Sequence, residues 1–402
     1  MVNVTFSDDD CLQKLRAVLA NPTATWTCPE QLAGIKAMLA LENDILAILP
    51  TGAGKTMLVI IPALLERERI TVVILPLRAL LMDYKNKFQR MHIPFELFDA
   101  SKPLAGSANL VLVSADAVKT TQWRQAISEL DQRIPVIRQI FDESHIPATS
   151  RSFRPALLHM SDIRCSISAQ VVLLSATVPL AMQPFIIEDF GFGDNHIIIR
   201  TQTNRPELEY RWLASHRELD LQQSIEPLIK STIREPKDRG LIFVPFKDLG
   251  NLLSKILSCP FYHGGEELTD DDRAVLYANW KSGRTPIMIC TSAFGTGNDH
   301  PHVRLVVHAG TPFEMLDYTQ EVSRGGRDHL PALCVLIPTA LRHSTQEGAD
   351  LCGRQYLENA LDGPAKCIRY LITFFNDGVG VYCAENAANQ VCSVCARQRG
   401  IG

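Results

Sequence analysis

The sequence lacks a long apolar run, an excess of positive charge and a secretory leader. No apolar run approaches the ~20 residues that a membrane-spanning helix needs, so we expect no membrane association. The formal net charge of −4 argues against a protein that holds polyanions by bulk electrostatic attraction, so any such binding must come from a local patch or groove. Residues Met1 to Asp10 contain neither a basic segment nor an apolar core, so we expect no secretion signal.

The composition is otherwise that of a globular protein. Hydrophobic residues make up 46% of the chain and charged residues 21%, which argues against a disordered or fibrous protein. A chain of 402 residues exceeds what one hydrophobic core usually serves, so we expect two or more domains. Six of the eleven cysteines are scattered through apolar or mixed segments, which favours buried free thiols in a reducing compartment.

The most informative stretch joins an apolar run to a glycine-rich turn. The run from Ile45 to Leu49 predicts a buried strand, and the run from Met57 to Leu65 predicts a helix. Glycines in the turn between them can adopt positive φ, which lets backbone N–H groups approach a phosphate at the helix N-terminus. A complete phosphate loop has a glycine where Leu49 stands, so the second half of the pattern matches. The candidate phosphate-binding residues are Thr51, Gly52, Ala53, Gly54, Lys55 and Thr56.

Three side chains near this turn have predicted roles. We expect Lys55 to reach the β- and γ-phosphates of a nucleotide and the Thr56 hydroxyl to bind Mg²⁺. An ordinary strand-to-helix connection has no use for a lysine beside two glycines. Gln31, upstream of the turn, can offer its amide to an adenine edge, although such a glutamine taken alone is more often a surface residue.

Short apolar strands alternate with helical segments through the first half of the chain. This alternation predicts a parallel sheet flanked by helices, and ligands bind such sheets beyond the carboxyl ends of the strands. The predicted strands end at Leu49, Leu75, Val113, Phe141 and Leu174, and a polar cluster follows each of them.

The cluster after Phe141 carries two adjacent carboxylates. Asp142 can hold Mg²⁺, directly or through water, and Glu143 can position and deprotonate an attacking water molecule. Such a pair alone is usually a helix N-cap with its neighbour, but Lys55 and Thr56 favour hydrolysis of a nucleotide. His145 follows, and a lone histidine more often caps or packs than links two sites.

A second alternating pattern follows a predicted break at Asn204 to Glu207. Its strands predict another parallel sheet, but this half has no phosphate loop. Arg324 and Arg327 lie in what reads as the start of a helix containing glycine. Two such arginines can form a solvated helix face. We instead predict that the second domain lends both to the γ-phosphate, so that hydrolysis depends on the two domains closing.

The last five cysteines crowd the C-terminal region. Cys367, Cys383, Cys392 and Cys395 offer four thiolates, enough for one tetrahedral Zn²⁺ site, and the last pair has the Cys-x2-Cys spacing of a zinc knuckle. Cys352 can compete as a ligand. The alternative is a small helical tail with free thiols.

The order of the motifs resembles that of superfamily 2 helicases. Following Gln31, the motifs are LPTGAGKT, PLRAL, DESH, SAT, FYHGG, ICTSAFGTGND and QEVSRGGRD. Within them, AFGTG, HVRLVVHAG and QEVSRGGRD look like the RecQ family of DNA helicases, and the resemblance covers roughly residues 26 to 396. It implies two tandem RecA-like α/β domains, at 1–203 with a helical lead-in and at 204–345, and a zinc-binding module at 346–402.

The resemblance also implies an activity. It predicts an ATP-dependent 3′→5′ DNA helicase or translocase that binds ATP, Mg²⁺ and Zn²⁺ and acts on single-stranded or forked DNA. We expect a monomer with no membrane partner, located in the nucleus if eukaryotic and otherwise in the cytoplasm. The residues that the resemblance assigns to DNA contact or to coupling are Arg78, Ser114, His145, Phe153, Ser175, Thr177, Thr296 and Gln320, and it assigns Asp299 to the nucleotide.

The chain departs from the RecQ pattern at several places. The segment from Ile146 to Pro155 keeps Phe153 but has no tryptophan, although an aromatic-rich loop there senses DNA in the family. Ser323 stands where the family has glycine, Asn298 stands where an aliphatic residue is usual, and we expect no winged-helix or HRDC domain. Two alternatives therefore stay open: an RNA-directed motor of the same superfamily, and a degenerate copy that binds nucleic acid without productive unwinding.

Overall fold

The computed structural model describes residues 6–146, 167–214, 217, 220–295, 300–339 and 350–400. The chain forms two compact units, residues 1–201 and 202–402. Within these described residues, each unit contains one sheet in which every paired strand is parallel to its neighbours. The predicted fold class, two RecA-like α/β domains, is confirmed.

In the described part of the first unit, the sheet has seven strands in the order β3-β4-β2-β5-β6-β1-β7. The strands are β1 Ile45–Ile48, β2 Ile70–Leu75, β3 Glu96–Leu97, β4 Leu110–Ser114, β5 Val136–Phe141, β6 Gln170–Ser175 and β7 Ile197–Arg200. The central strands are almost continuously apolar because helices cover both faces of a parallel sheet. The five predicted strands are confirmed, and β3 and β7 add one edge strand each.

Helices in the first unit surround this sheet. They are α1 Asp8–Val18, α2 Pro29–Ala40, α3 Lys55–Leu65, α4 Arg78–Arg90, α5 Ala115–Val118, α6 Thr121–Asp131 and α7 Gln183–Asp189. The lead-in helix α1 begins with a capping box in which Ser7 and Asp10 satisfy each other's backbone N–H groups. Helix α3 is apolar on nearly all sides and lies in the core, which fixes the turn that precedes it.

Among the residues of the second unit that the structure describes, the sheet has six strands in the order β10-β11-β9-β12-β13-β8. The strands are β8 Leu208–Trp212, β9 Arg239–Phe243, β10 Phe261–Tyr262, β11 Ile287–Cys290, β12 Val303–Ala309 and β13 Ala332–Ile337. The five predicted strands of this half are confirmed. Strand β8 was not predicted, because Glu209 and Arg211 interrupt its apolar pattern.

The C-terminal helices share a core with this second sheet. The helices of the unit are α8 Leu221–Thr232, α9 Lys247–Leu257, α10 Asp270–Ser282, α11 Met315–Val322, α12 Arg354–Asp362, α13 Ile368–Asp377 and α14 Ser393–Gln398. Leu357, Ile368 and Ile372 belong to the same buried cluster as Leu208 and Tyr318. The region with the cysteines therefore packs on the sheet. None of the described helices combines the length and the apolar character that a bilayer crossing requires.

Candidate active site

The glycine-rich turn between β1 and α3 has the backbone that the sequence predicts. Gly52 has φ +92° and Gly54 has φ +75°, both in the region that glycine tolerates best. A Cβ atom on Gly54 would lie 2.2 Å from Gln31 Nε2, so a larger residue there would displace the Gln31 amide. Residues 49–54 thus form a tight loop whose last residue caps α3, and the N-terminus of α3 points its backbone donors toward the loop.

Gln31 is buried against this loop and forms a hydrogen bond with it. Its side chain is 1% exposed, so the alternative of a surface glutamine is wrong. Its Nε2 donates to Gly54 O at 3.2 Å, and its Oε1 accepts from the backbone N–H of Thr27 at 3.0 Å. Thr27, which the sequence did not single out, also donates its hydroxyl to Ala53 O at 2.7 Å. Both side chains therefore fix the loop carbonyls.

Lys55 and Thr56 stand at the first turn of α3. The Lys55 ammonium donates to Leu49 O at 3.0 Å and so lies over the loop. The Thr56 hydroxyl accepts from Lys87 Nζ of α4 at 2.7 Å. A hydroxyl oxygen is a ligand that Mg²⁺ accepts, and the Lys87 ammonium already places a cationic group against it.

Asp142 and Glu143 leave the carboxyl end of β5. Asp142 is 7% exposed, and both of its carboxylate oxygens accept hydrogen bonds: Oδ2 from Tyr84 OH at 2.6 Å and Oδ1 from the Glu143 backbone N–H at 2.9 Å. Glu143 has φ +50°, which is uncommon for a residue with a side chain. Backbone strain of this kind clusters at functional sites. Tyr84 is a contact that sequence patterns did not reveal.

Burial sets the protonation behaviour of these groups. Desolvation raises the pKa of Asp142, and the neighbouring Glu143 raises it further, whereas the positive charge of Lys55 lowers it. Desolvation also raises the pKa of Tyr84 well above its usual value, which keeps the phenol as a donor toward Asp142. The Asp142 carboxylate and the Thr56 hydroxyl are oxygen donors of the kind that Mg²⁺ prefers, and the Lys55 ammonium is a positive charge suited to a phosphate.

His145 links the strand end at β5 to the strand end at β6. Its Nδ1 lies 2.8 Å from Ser175 Oγ, and the Ser175 hydroxyl donates to Thr177 O at 3.1 Å. Burial lowers the pKa of His145 to about 4, so the ring is neutral at physiological pH. His145 Nδ1 also lies 3.4 Å from Glu143 Oε2. The structure therefore brings His145, Ser175 and Thr177 together, which sequence reasoning on His145 alone did not predict.

Two further predicted residues lie at the same edge of the sheet. Arg78 is exposed at the start of α4, after β2. Ser114 ends β4 and caps α5, where its Oγ accepts from the Ala117 backbone N–H at 3.3 Å. Phe153, Thr296 and Asp299 lie outside the described residues.

In the second unit, Arg324 and Arg327 follow the end of α11 at Val322. The prediction that they lie at a helix start is therefore wrong, because Gly325 and Gly326 continue the chain as a turn, with φ +60° at Gly326. Arg324 is 7% exposed and lies over the Phe294 ring, 6.0 Å from its centroid, so it does not belong to a solvated face. Gln320 is half-buried on α11, where its carbonyl accepts from Ser323 Oγ at 2.6 Å.

Arg205 holds the turn that carries these arginines. Its guanidinium donates to Ser323 O at 3.3 Å, to Gly325 O at 3.0 Å and to Gly326 O at 3.1 Å. Glu207 accepts from Arg205 Nε at 2.5 Å, so the guanidinium is also paired. The predicted break at residues 204–207 thus has a positioning role that composition did not indicate.

The end of the turn is fixed by a second ion pair. Asp328 accepts from Arg304 Nη1 at 2.9 Å and lies 2.7 Å from His302 Nδ1. Burial alone would raise the pKa of Asp328, but the hydrogen bonds from Arg304 and His302 hold it well below its usual range. Both ends of the segment 323–328 are therefore anchored to the second unit.

The four predicted cysteine ligands converge at one place. The Sγ atoms of Cys367, Cys383, Cys392 and Cys395 all lie within 4.8 Å of one another, and the first two are 3.6 Å apart. A tetrahedral Zn²⁺ with bonds of 2.3 Å requires sulfurs about 3.8 Å apart, so the set fits zinc. Cys352 is not in the cluster and instead contacts Glu314, so the prediction that it competes as a ligand is wrong.

Comparison with known proteins gives two domain matches and a set of relatives. The DEAD/DEAH box helicase model matches residues 28–184, and the helicase conserved C-terminal domain model matches residues 223–329. The chain is 26% identical over 399 residues to the RecQ-like DNA helicase blm-1 of Caenorhabditis elegans, covering 89% of this chain and 39% of that protein. It is 28% identical over 321 residues to the ATP-dependent DNA helicase RecQ of Synechocystis, covering 74% of this chain and 65% of that protein.

Solved structures share the fold at lower identity. The DEAD-box helicase Mss116 bound to single-stranded RNA and UDP-BeF superposes with a TM-score of 0.63 at 18% identity, covering 81% of this chain and 73% of that one. The helicase Lhr of Mycobacterium smegmatis bound to single-stranded DNA and AMP-PNP gives a TM-score of 0.57 at 19% identity, covering 83% of this chain and 48% of that one. The chain thus spans between about two fifths and two thirds of the length of the two RecQ relatives.

Proposed function

Because the chain belongs to the superfamily 2 helicases and is related to their RecQ family, we propose that it is an ATP-dependent DNA helicase or translocase. We further propose that it moves 3′→5′ on single-stranded or forked DNA and acts as a monomer. The observation that carries the proposal is the set of groups at the carboxyl edge of the first sheet. There the phosphate loop with Lys55 and the carboxylates Asp142 and Glu143 leave β1 and β5 on the same side.

These groups divide the work of ATP hydrolysis. The loop amides and Lys55 bind the phosphates, and Thr56 and Asp142 would hold Mg²⁺, which neutralises phosphate charge when it is bound. Glu143 positions and deprotonates the attacking water. The positive φ of Glu143 sets the direction in which its side chain leaves the backbone. Gln31 and Thr27 hold the phosphate loop through hydrogen bonds to its carbonyls.

The second unit supplies positive charge to the transition state in this proposal. Arg324 and Arg327 act on the γ-phosphate, and Asp299 contributes to the nucleotide site. Because the first unit binds the nucleotide and the second supplies the arginines, hydrolysis would require the two units to close. Zn²⁺ at the four cysteines would stabilise the C-terminal helices and take no part in hydrolysis.

Movement on DNA requires contacts that change with the state of the nucleotide. We assign contacts with the DNA backbone to Arg78, Ser114 and Thr296, and a role in nucleic-acid binding or coupling to Phe153 and Gln320. The bonded set of His145, Ser175 and Thr177 would transmit the state of the site to them, because it joins the strand that carries Glu143 to the neighbouring strand.

The primary test is ATP hydrolysis by the purified chain with Mg²⁺ and single-stranded DNA or RNA of one sequence. We expect DNA to stimulate hydrolysis and Lys55→Ala to abolish it. Stimulation by RNA alone would support the RNA-directed alternative. The Mss116 structure, whose ligand is single-stranded RNA, does not favour that alternative, because a likeness at 18% identity shows only the fold.

The second test separates helicase from translocase and fixes the direction. Strand displacement is measured on duplexes with a 3′ or a 5′ single-stranded overhang, and we expect displacement with the 3′ overhang only. Hydrolysis without displacement on either substrate would favour a translocase or a degenerate form.

A further inference from the structure

Helix α4 contacts both side chains that we propose as Mg²⁺ ligands. Tyr84 donates its hydroxyl to Asp142 Oδ2 at 2.6 Å, and Lys87, one turn later, donates its ammonium to Thr56 Oγ1 at 2.7 Å. Residues three apart lie on one face of a helix. One face of α4 therefore contacts the carboxylate that ends β5 and the hydroxyl that begins α3.

Tyr84 fixes the orientation of the Asp142 carboxylate. Its ring is 4% exposed and packs edge-on against Phe88 with centroids 5.5 Å apart, so its hydroxyl has a defined position. The other carboxylate oxygen accepts from the Glu143 backbone N–H at 2.9 Å. With one donor on each oxygen, the carboxylate cannot rotate freely, and its remaining lone pairs are presented in one direction.

Lys87, in contrast, competes with the metal for the Thr56 hydroxyl. Its ammonium occupies the Thr56 oxygen that a Mg²⁺ ion would use, and two cations cannot share that oxygen at close range because they repel each other. Lysine has a flexible four-carbon stem, so the ammonium can leave the hydroxyl when the metal arrives. The energy of the Lys87 contact must then be given up on metal binding.

We propose that α4 sets the Mg²⁺ affinity of the nucleotide site through two contacts of opposite sign. Tyr84 is a positioning residue that increases the affinity by orienting Asp142. Lys87 decreases the affinity by competing for Thr56. This proposal rests on the proposed function, because it requires that a nucleotide and Mg²⁺ bind at this site.

The test measures binding and not turnover. Equilibrium binding of a fluorescent ATP analogue to the full chain is followed across a Mg²⁺ titration, and the half-saturating Mg²⁺ concentration is compared between variants. Tyr84→Phe removes one hydroxyl and should raise this concentration about fivefold, the effect of one hydrogen bond. Lys87→Met keeps the length of the side chain but removes its charge, and should lower the concentration about fivefold. Lys85→Met, a neighbouring half-buried lysine on α4, is the matched control and should leave it unchanged.

Opposite shifts in the two variants would support the proposal. Equal half-saturating concentrations in all variants, or shifts in the same direction, would overturn it. Lys55→Ala separates this outcome from failure of the proposed function. If the wild-type chain binds the Mg²⁺ nucleotide and Lys55→Ala does not, the function stands and only the role of α4 is lost. If Lys55→Ala binds like the wild type, the nucleotide site itself is wrong.

Discussion

Replacing Arg205 with lysine should slow ATP hydrolysis without weakening nucleotide binding. The Arg205 guanidinium donates to the carbonyls of Ser323, Gly325 and Gly326, which lie on both sides of Arg324. Lysine keeps a positive charge for Glu207 but cannot form a planar fork that reaches three carbonyls. The turn that carries Arg324 should therefore lose its fixed position, while the phosphate loop in the first unit keeps its own contacts.

The size of the effect follows from the number and type of the bonds. Hydrogen bonds from a charged donor contribute about 1.5–3 kcal/mol each, and a lysine would replace only part of the set. If the loss of position removes about 1.4–2.8 kcal/mol from stabilisation of the transition state, kcat falls roughly tenfold to hundredfold. KM for ATP should stay near the wild-type value, because Arg205 touches none of the predicted phosphate-binding residues.

The assay is steady-state ATP hydrolysis at saturating single-stranded DNA, with kcat and KM determined separately. Arg211→Lys is the matched control, since Arg211 is a partly exposed arginine of β8 that pairs with Glu209. The positioning role would be refuted if kcat for Arg205→Lys lay within about twofold of that control while Arg324→Ala was inactive. The smallest loss of kcat that we expect is about tenfold, or about 1.4 kcal/mol.

Three further predictions concern the metal centre, pH dependence and stability. Purified protein should contain one zinc ion per chain, and Cys392→Ser should lose that zinc and have a lower melting temperature. Zinc-free protein with an unchanged melting temperature would contradict a zinc site at the four cysteines. Because burial lowers the pKa of His145 from 6.5 to about 4, the folded state binds fewer protons than the unfolded state between these values. Stability should therefore fall by up to about 3 kcal/mol as pH drops through this window, and His145→Gln should flatten the dependence in urea unfolding. Arg138→Met should lower the free energy of unfolding by about 3–5 kcal/mol because it leaves the buried Glu66 carboxylate with only the longer Arg69 contact of 3.8 Å, whereas Arg69→Met should cost far less.

Much of the fold could be predicted because apolar runs and turn residues are local signals. The strands of both sheet centres are short and mostly apolar, and the sequence predicts them. The edge strands β3, β7 and β8 were not predicted: β3 has only two residues, β7 is a short, partly exposed strand, and Glu209 and Arg211 interrupt the apolar pattern of β8. The position of Arg324 was also misjudged, since the turn after α11 depends on contacts with Arg205 that lie far away in the sequence.

The candidate site also contains some residues that the sequence predicts and others that only the structure reveals. Lys55, Thr56, Asp142 and Glu143 belong to motifs whose spacing carries the chemistry, so the sequence was sufficient to propose them. Tyr84 and Lys87 belong to no motif, and only the packing of α4 brings them to the site. The structure places Gln31 against the predicted phosphate loop, and its burial was not predicted because it depends on the loop folding over it; its contact with adenine stays a prediction.

The most direct test of the account is the rate of ATP hydrolysis by the purified chain with Mg²⁺, measured with and without single-stranded DNA. Glu143→Gln serves as the comparison, because it removes the proposed base while keeping the size of the side chain and the nucleotide contacts. We expect DNA to raise the rate for the wild-type chain, and Glu143→Gln to bind the nucleotide but hydrolyse it at least about 100-fold more slowly. A wild-type rate that is independent of DNA and equal to that of Glu143→Gln would contradict the account.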